Sequence, residues 1–303
     1  MTLPIAQAKH SLGSRQRSPV EGWPHRWLPR LTPGGAVGLV VLALLLFTAF
    51  IAPHLYETDP AHQALRARLS PPVGFGGAWA HPLGTDQLGR DLLARVIAGA
   101  RVSLLIGVVA TLVAGGTGVL LGLLAGYFGG WVDKIVTFAA DVQLALPFVI
   151  VAIALIATLG PSIRNVIIIL AVTGWVGYAR ILRLQTMSLR QAPFIDAARA
   201  MGAGPARILA RHLAPNLAAP IIVIASQQVA AMILFEAALS YLGLGASSAT
   251  ITWGGMISAG RDAMLNAWWV AVIPGAAVAI TILGLNVLGD WLREVMDPTL
   301  RGH

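Results

Sequence analysis

Read for chemistry, the chain offers a few short clusters of charged residues separated by long uncharged stretches. The richest cluster runs from Asp196 through Ala197, Ala198, Arg199, Met201 and Gly202 to Ile208, His212 and Pro215. An acid and an arginine set among small side chains suit recognition of another macromolecule. Small residues permit close approach, and the charges set register. The composition of 194–201 is helical, Gly202 and Gly204 allow a sharp turn, and Pro205 can restart a helix at its first position. A second cluster stands before the second long apolar run. There Asp86/Arg90 and Asp91/Arg95 lie four apart, Thr85 is placed to cap a helix, and Leu88, Leu92, Leu93 and Val96 make its apolar face. This pattern predicts an amphipathic interfacial helix leading into the span; the functional reading beside it is an external surface, with Asp86, Arg90 and Asp91, that receives a binding protein. Glu236, beside Phe235 near the end of an apolar run, is a third candidate. An acid there is costly in hydrocarbon, so it must face the interior of a bundle, a path or a gate. Asp141 and Asp290 fall where hydration is easy, and Trp175 and Tyr178 are read as packing residues.

What these residues exclude is equally informative. Neither lysine, Lys9 or Lys134, stands in a G-x-x-x-x-G-K-[ST] pattern, so the chain has no P-loop for ATP. H-E-x-x-H and G-x-S-x-G are absent as well. His54, His62 and His81 lack metal-ligand spacing, and the absence of Cys removes thiolate sites and disulfides. No catalytic residue, metal site or cofactor is expected on the chain. The net charge of +8 does not imply nucleic acid, because no basic run is interleaved with stacking aromatics.

The elements that must position these clusters are membrane spans. The chain has 303 residues, 56% hydrophobic and 11% charged, where soluble domains average about 25% charged. The apolar runs at 34–52, 102–131, 142–163, 165–179, 213–235 and 263–289 predict six transmembrane helices, each near the roughly 20 residues a span needs. The fourth must extend past Arg180 and Arg183, whose side chains are expected to snorkel. Gly and Ala crowded between 113 and 126 argue for close helix packing. Six spans put both termini on one side. Of the 21 Lys and Arg residues, 14 fall on the side of the termini and the Asp196 loop and 7 on the other. The positive-inside rule makes the first side cytoplasmic. The organisation expected is a cytoplasmic tail over 1–33, a first span over 34–52 and an external loop with its amphipathic helix over 53–100. A five-helix domain then covers 101–290, with a polar loop at about 190–215, and a tail covers 291–303.

The Asp196 loop resembles the "EAA" loop of binding-protein-dependent ABC importer permeases, matched at Asp196, Ala197, Ala198, Gly202 and Pro215. It departs from that pattern in having Asp196 for the usual Glu, His212 for Ile and Ala214 for Leu. The stretch from His81 to Leu104 is similar to the signature of the peptide/nickel branch, and that from Gly289 to Arg301 to the end of its C-type subunit. The resemblance implies a type I ABC importer permease fold in the bacterial inner membrane, with the Asp196 loop as a cytoplasmic coupling helix. It implies a second, B-type permease, two ATP-binding subunits that hold ATP and Mg, an extracytoplasmic binding protein, and peptides as cargo. Nickel or another small solute is the alternative cargo. An ion-coupled secondary transporter is the alternative of a different class, and it would need acids at mid-span that the centres of the six runs lack.

Overall fold

Uncharged apolar runs cannot leave backbone amides unpaired in hydrocarbon, so they close their hydrogen bonds locally as helices. The computed structural model describes residues 32–247 and 249–296, and these form an all-α chain. The predicted tail over 1–33 lies outside the described residues except for its last two positions. Helix α1 (Pro33–Leu55) starts at Thr32, whose hydroxyl accepts from Gly35 N at 3.2 Å, and widens into a π-turn at Phe47–Ile51. Helix α2 (Leu92–Phe128) has 37 residues, about 55 Å at 1.5 Å per residue, and so outruns a hydrocarbon core of about 30 Å. Helices α3 (Gly130–Ala145) and α4 (Phe148–Leu159) meet at a 90° bend. The cause is Pro147, which holds Leu146 in an extended conformation (ψ 124°). The single straight span expected over 142–163 is therefore corrected to this broken pair.

Helix α5 (Ile163–Leu189) is capped by Ser162, whose hydroxyl accepts from Asn165 N. It is followed by α6 (Pro193–Ala200) and by α7 (205–216), which begins at Pro205 and passes through a π-turn. Helix α8 (Ala218–Tyr241), the short α9 (Trp253–Gly260) and α10 (Trp269–Met296) complete the chain. Helix α10 continues through 291–296, which sequence alone assigned to a tail; the rest of that tail, from 297, lies outside the described residues. Among the described residues, α1, α2, α5, α8 and α10 are long and apolar enough to cross a membrane, and the bent α3–α4 pair makes a sixth crossing if counted as one.

The tightest packing is α2 against α5, and the glycines of α2 explain it. Gly118, Gly122 and Gly126 recur every four residues along one face. A Cβ on Gly122 would sit 2.7 Å from the Ala179 carbonyl oxygen, and one on Gly126 would sit 2.6 Å from that of Arg183. Backbones approach this closely only where side chains are missing. Ile106, Ala110 and Ala114 of α2 continue the contact against Val166, Ile169 and Leu170. A second core joins α1, α8, α9 and α10 around Ile233, Trp253 and Val278. Arg180 and Arg183 each find an acid. Arg183 forks onto both carboxylate oxygens of Asp133 and Arg180 meets Asp141 at 2.5 Å, so both pair with α3.

Candidate functional site

Three polar constellations sit on this scaffold, and the first is the loop between α5 and α8. Helix α6 ends in a Schellman turn: Ala203 N donates to Ala198 O at 3.0 Å and Gly202 N to Arg199 O at 2.9 Å. Gly202 takes φ +82°, which only glycine adopts freely, while Gly204 is ordinary at φ −73°. Ile195 and Ala198, three residues apart, are both buried, and Ile195 joins Ile208, Leu213 and Leu217 in one cluster with Leu123 of α2 and Leu182 of α5. Ala198 and Ile208, expected on the contact surface, are at most 2% exposed and face into the chain. Asp196, Ala197, Arg199, Met201 and Gly202 form the outward face. Arg199 Nη1 donates to Asp196 Oδ1 at 3.0 Å, and its guanidinium lies 5.9 Å from the Tyr127 ring centroid. Arg190 Nη1 donates to Tyr127 O at 3.0 Å, which ties the end of α5 to the end of α2.

The second constellation is the loop before α2. Asp86 is 3% exposed and accepts from the Leu88 and Arg90 amides at 2.9 and 3.0 Å, from Arg90 Nε at 2.7 Å and from Arg95 Nε at 3.5 Å. Asp91, also 3% exposed, caps α2 through Ala94 N at 2.8 Å. Its other oxygen meets His81 Nδ1 at 2.8 Å and the Tyr56 hydroxyl at 3.1 Å. Burial raises the Tyr56 phenol above its usual value. A Thr58 hydrogen bond opposes the rise and the Asp91 charge adds to it, so Tyr56 stays a neutral donor. The interfacial helix expected from Thr85 does not form. Thr85 accepts from Ser70 N and donates to Ala67 O, Gly89 takes φ +70°, and the helix begins only at Leu92. The Asp91/Arg95 pair is not made, because Arg95 turns to Asp86 and to the Pro60 carbonyl at 3.2 Å. Asp86 and Asp91 therefore organise the loop from inside and are not its outer surface. Arg90, 20% exposed along its side chain, lies between the two conditions.

The third is Glu236, 1% exposed. It accepts from Ser240 Oγ at 2.7 Å and from Ser103 Oγ at 3.5 Å, while Ser103 Oγ accepts from Trp253 N at 3.1 Å. The carboxylate thus lies at the N-terminus of α9, where the helix dipole favours an anion, and it joins α2, α8 and α9. In this conformation the side chain is enclosed and ties three helices together. Sequence reasoning missed Ser103, Ser240, Tyr56 and His81. Only the four-residue spacing of Glu236 and Ser240 carried a local signal.

A helical membrane bundle that seats a folded polar loop rigidly between two spans has the makings of a transport subunit that takes its drive from elsewhere. The comparisons agree. Residues 118–302 match the family of binding-protein-dependent transport system inner membrane components, and residues 33–72 match the N-terminal TM domain of oligopeptide transport permease C. The chain is 39% identical to the di/tripeptide transport system permease protein DppC of Pseudomonas aeruginosa, over 88% of this chain and 89% of that one. It is 40% identical to the glutathione transport system permease protein GsiD of Pectobacterium atrosepticum, over 88% and 87%. It is also 37% identical to the probable D,D-dipeptide permease DdpC of Escherichia coli, over 91% of each. Among solved structures, inward-facing MetNI methionine ABC transporter chains share the fold, with TM-scores of 0.56 and 0.54 at 19% and 18% identity, over 67% of this chain and 96% of theirs. The chain belongs to the binding-protein-dependent transport system inner membrane component family. It is a multi-pass permease component of such a transporter and not its ATPase.

Proposed function

We propose that this chain is one half of the translocation path of an ABC importer for peptides, driven by separate ATPase subunits that hold ATP and Mg. A homologous B-type permease forms the other half, two ATP-binding subunits dock beneath, and an extracytoplasmic binding protein delivers cargo. Relatives named for di/tripeptides, D,D-dipeptides and glutathione support a peptide backbone as the shared element of the cargo. In this reading both termini and the α6–α7 loop are cytoplasmic, supported by the 14 to 7 division of basic residues.

The observation that carries the mechanism is the seating of the loop. Ile195 and Ile208 share one cluster with Leu123 and Leu182, Arg190 ties α5 to α2, and Arg183 ties α5 to Asp133 of α3. A force on the outward face, at Asp196, Ala197, Arg199, Met201 and Gly202, therefore moves α2, α3 and α5 together. Closure of the ATPases would draw two such loops toward each other and switch the side on which the path is open. Met201, 79% exposed at the tip, is the natural reporter. A thiol-reactive crosslinker on Met201→Cys should capture an ATPase subunit in the assembled complex, more in the nucleotide-bound state. Capture of no ATPase, or a reporter fusion that puts Arg199 on the same side as His62, overturns the reading.

A further inference from the structure

Near mid-span the bundle carries three neutral amides, of which the scaffold engages one, Gln143. Gln228 is the eleventh residue of the 24-residue α8, and Thr173 the eleventh of the 27-residue α5. At this depth α5 and α8 are close, since a Cβ on Gly174 would lie 3.4 Å from Gln228 Nε2. Gln143, just before the α3–α4 bend, donates to Thr173 O at 2.8 Å and accepts from Trp175 Nε1 at 2.7 Å. Trp175 is thus a positioning residue that holds the Gln143 amide beside α5. Gln227 and Gln228 have no side-chain hydrogen-bond partner among the described residues, and Gln227 is exposed. Gln227 also lines a cleft of about 600 Å³ whose walls are largely apolar but include Gln185, Ser188 and Arg293, and which reaches the end of the bundle that carries the α6–α7 loop. The Asp141–Arg180 ion pair, half exposed on both sides, lies about 7.5 Å beyond Trp175 in the same direction.

Lipid cannot be the neighbour of these groups. An amide without a partner in hydrocarbon costs several kcal/mol, and an irregular backbone at membrane depth is tolerated only inside protein or beside water. Each glutamine offers both a donor and an acceptor, as a peptide group does, and none carries a charge that would trap a charged terminus or side chain. We propose that Gln143, Gln227 and Gln228 form a hydrogen-bonding station for the backbone amides of a peptide at the middle of the path. This rests on the peptide-permease reading above.

The chain has no cysteine of its own, so single thiols can be placed without altering the background. The assembled complex in nanodiscs would carry Gln227→Cys or Gln228→Cys, with Leu44→Cys, 55% exposed at the centre of α1, as the lipid-facing control. A charged, water-soluble maleimide should label the two station positions at least about tenfold faster than the control, because thiolate forms in water and not in hydrocarbon. Trialanine, delivered by the binding protein, should slow that labelling. Gln228→Leu should assemble normally yet need about fivefold more peptide for half-maximal uptake, as expected for one lost hydrogen bond. Labelling as slow as at Leu44→Cys, or fast labelling untouched by trialanine in a complex whose wild type imports it, overturns the station. Loss of assembly in Gln228→Leu also overturns it, by making the amide a contact between permeases. Failure of the wild-type complex to import any peptide is a separate result, read from uptake alone, and overturns the underlying reading.

Discussion

Replacing Gly202 isolates the turn that presents the loop. Its φ of +82° places it in the left-handed region, and a Cβ built there meets nothing within 4 Å. The penalty for a side chain is therefore conformational and not steric: about 1 kcal/mol for Ala and up to about 2 kcal/mol for a β-branched residue. If only the native turn docks, the apparent affinity for the ATPases falls about 5-fold for Gly202→Ala and about 30-fold for Gly202→Val. Asn, which tolerates this region, should fall in between wild type and Ala. Gly204 has an ordinary φ of −73° and open space around it, so Gly204→Ala is the matched control and should behave as wild type. The five proteins should insert alike, since Ile195 and Ile208 still anchor the loop. The assay is substrate-stimulated ATP hydrolysis in proteoliposomes as the ATPase concentration is varied. An order of wild type and Gly204→Ala, then Gly202→Asn, Gly202→Ala and Gly202→Val supports the argument. Equal damage at 202 and 204, or a wild-type Gly202→Val, refutes it.

Gly122→Leu drives a side chain into the Ala179 carbonyl and should cost about 1–3 kcal/mol or more, measured as a lower melting temperature of the detergent-purified chain. Asp86→Ala strands Arg90 and Arg95, whose side chains are mostly buried, and should destabilise the loop by about 3 kcal/mol; limited proteolysis between α1 and α2 reads this directly. Glu236→Gln keeps acceptors for Ser240 and Ser103 and should be near neutral in melting temperature, whereas Glu236→Leu leaves both hydroxyls without their acceptor and should cost about 1–3 kcal/mol.

The helices were legible because an uncharged apolar run has one structural outcome in a membrane, and close packing along α2 because Gly and Ala crowd 113–126, although the partner helix was not. The turn at Gly202 was equally local. The break at Leu146–Pro147 was also written in the chain, but the uncharged run over 142–163 passes straight through it, so a reading by apolar runs passes over it. Facing was read less well. Ile195 and Ala198 share the face that Asp196, Ala197 and Arg199 do not, a periodicity that shows which alanine turns inward. The pairs four apart before α2 suggested a helix, whereas Gly89 at positive φ and the Thr85 hydroxyl make that stretch a loop. Partners far apart left no trace: Tyr56 and Asp91 are 35 residues apart, Ser103 and Glu236 133, and Arg183 and Asp133 50. Such contacts depend on how helices are arranged, which no local pattern encodes.

The most direct test of the account is ATP-driven uptake of a labelled dipeptide into proteoliposomes rebuilt from this chain, a second permease, the ATPases and the binding protein. The account predicts uptake that stops when any one component is left out, this chain included, and no ATP hydrolysis by this chain alone. Uptake that persists without this chain, or without ATP on an ion gradient, would contradict it.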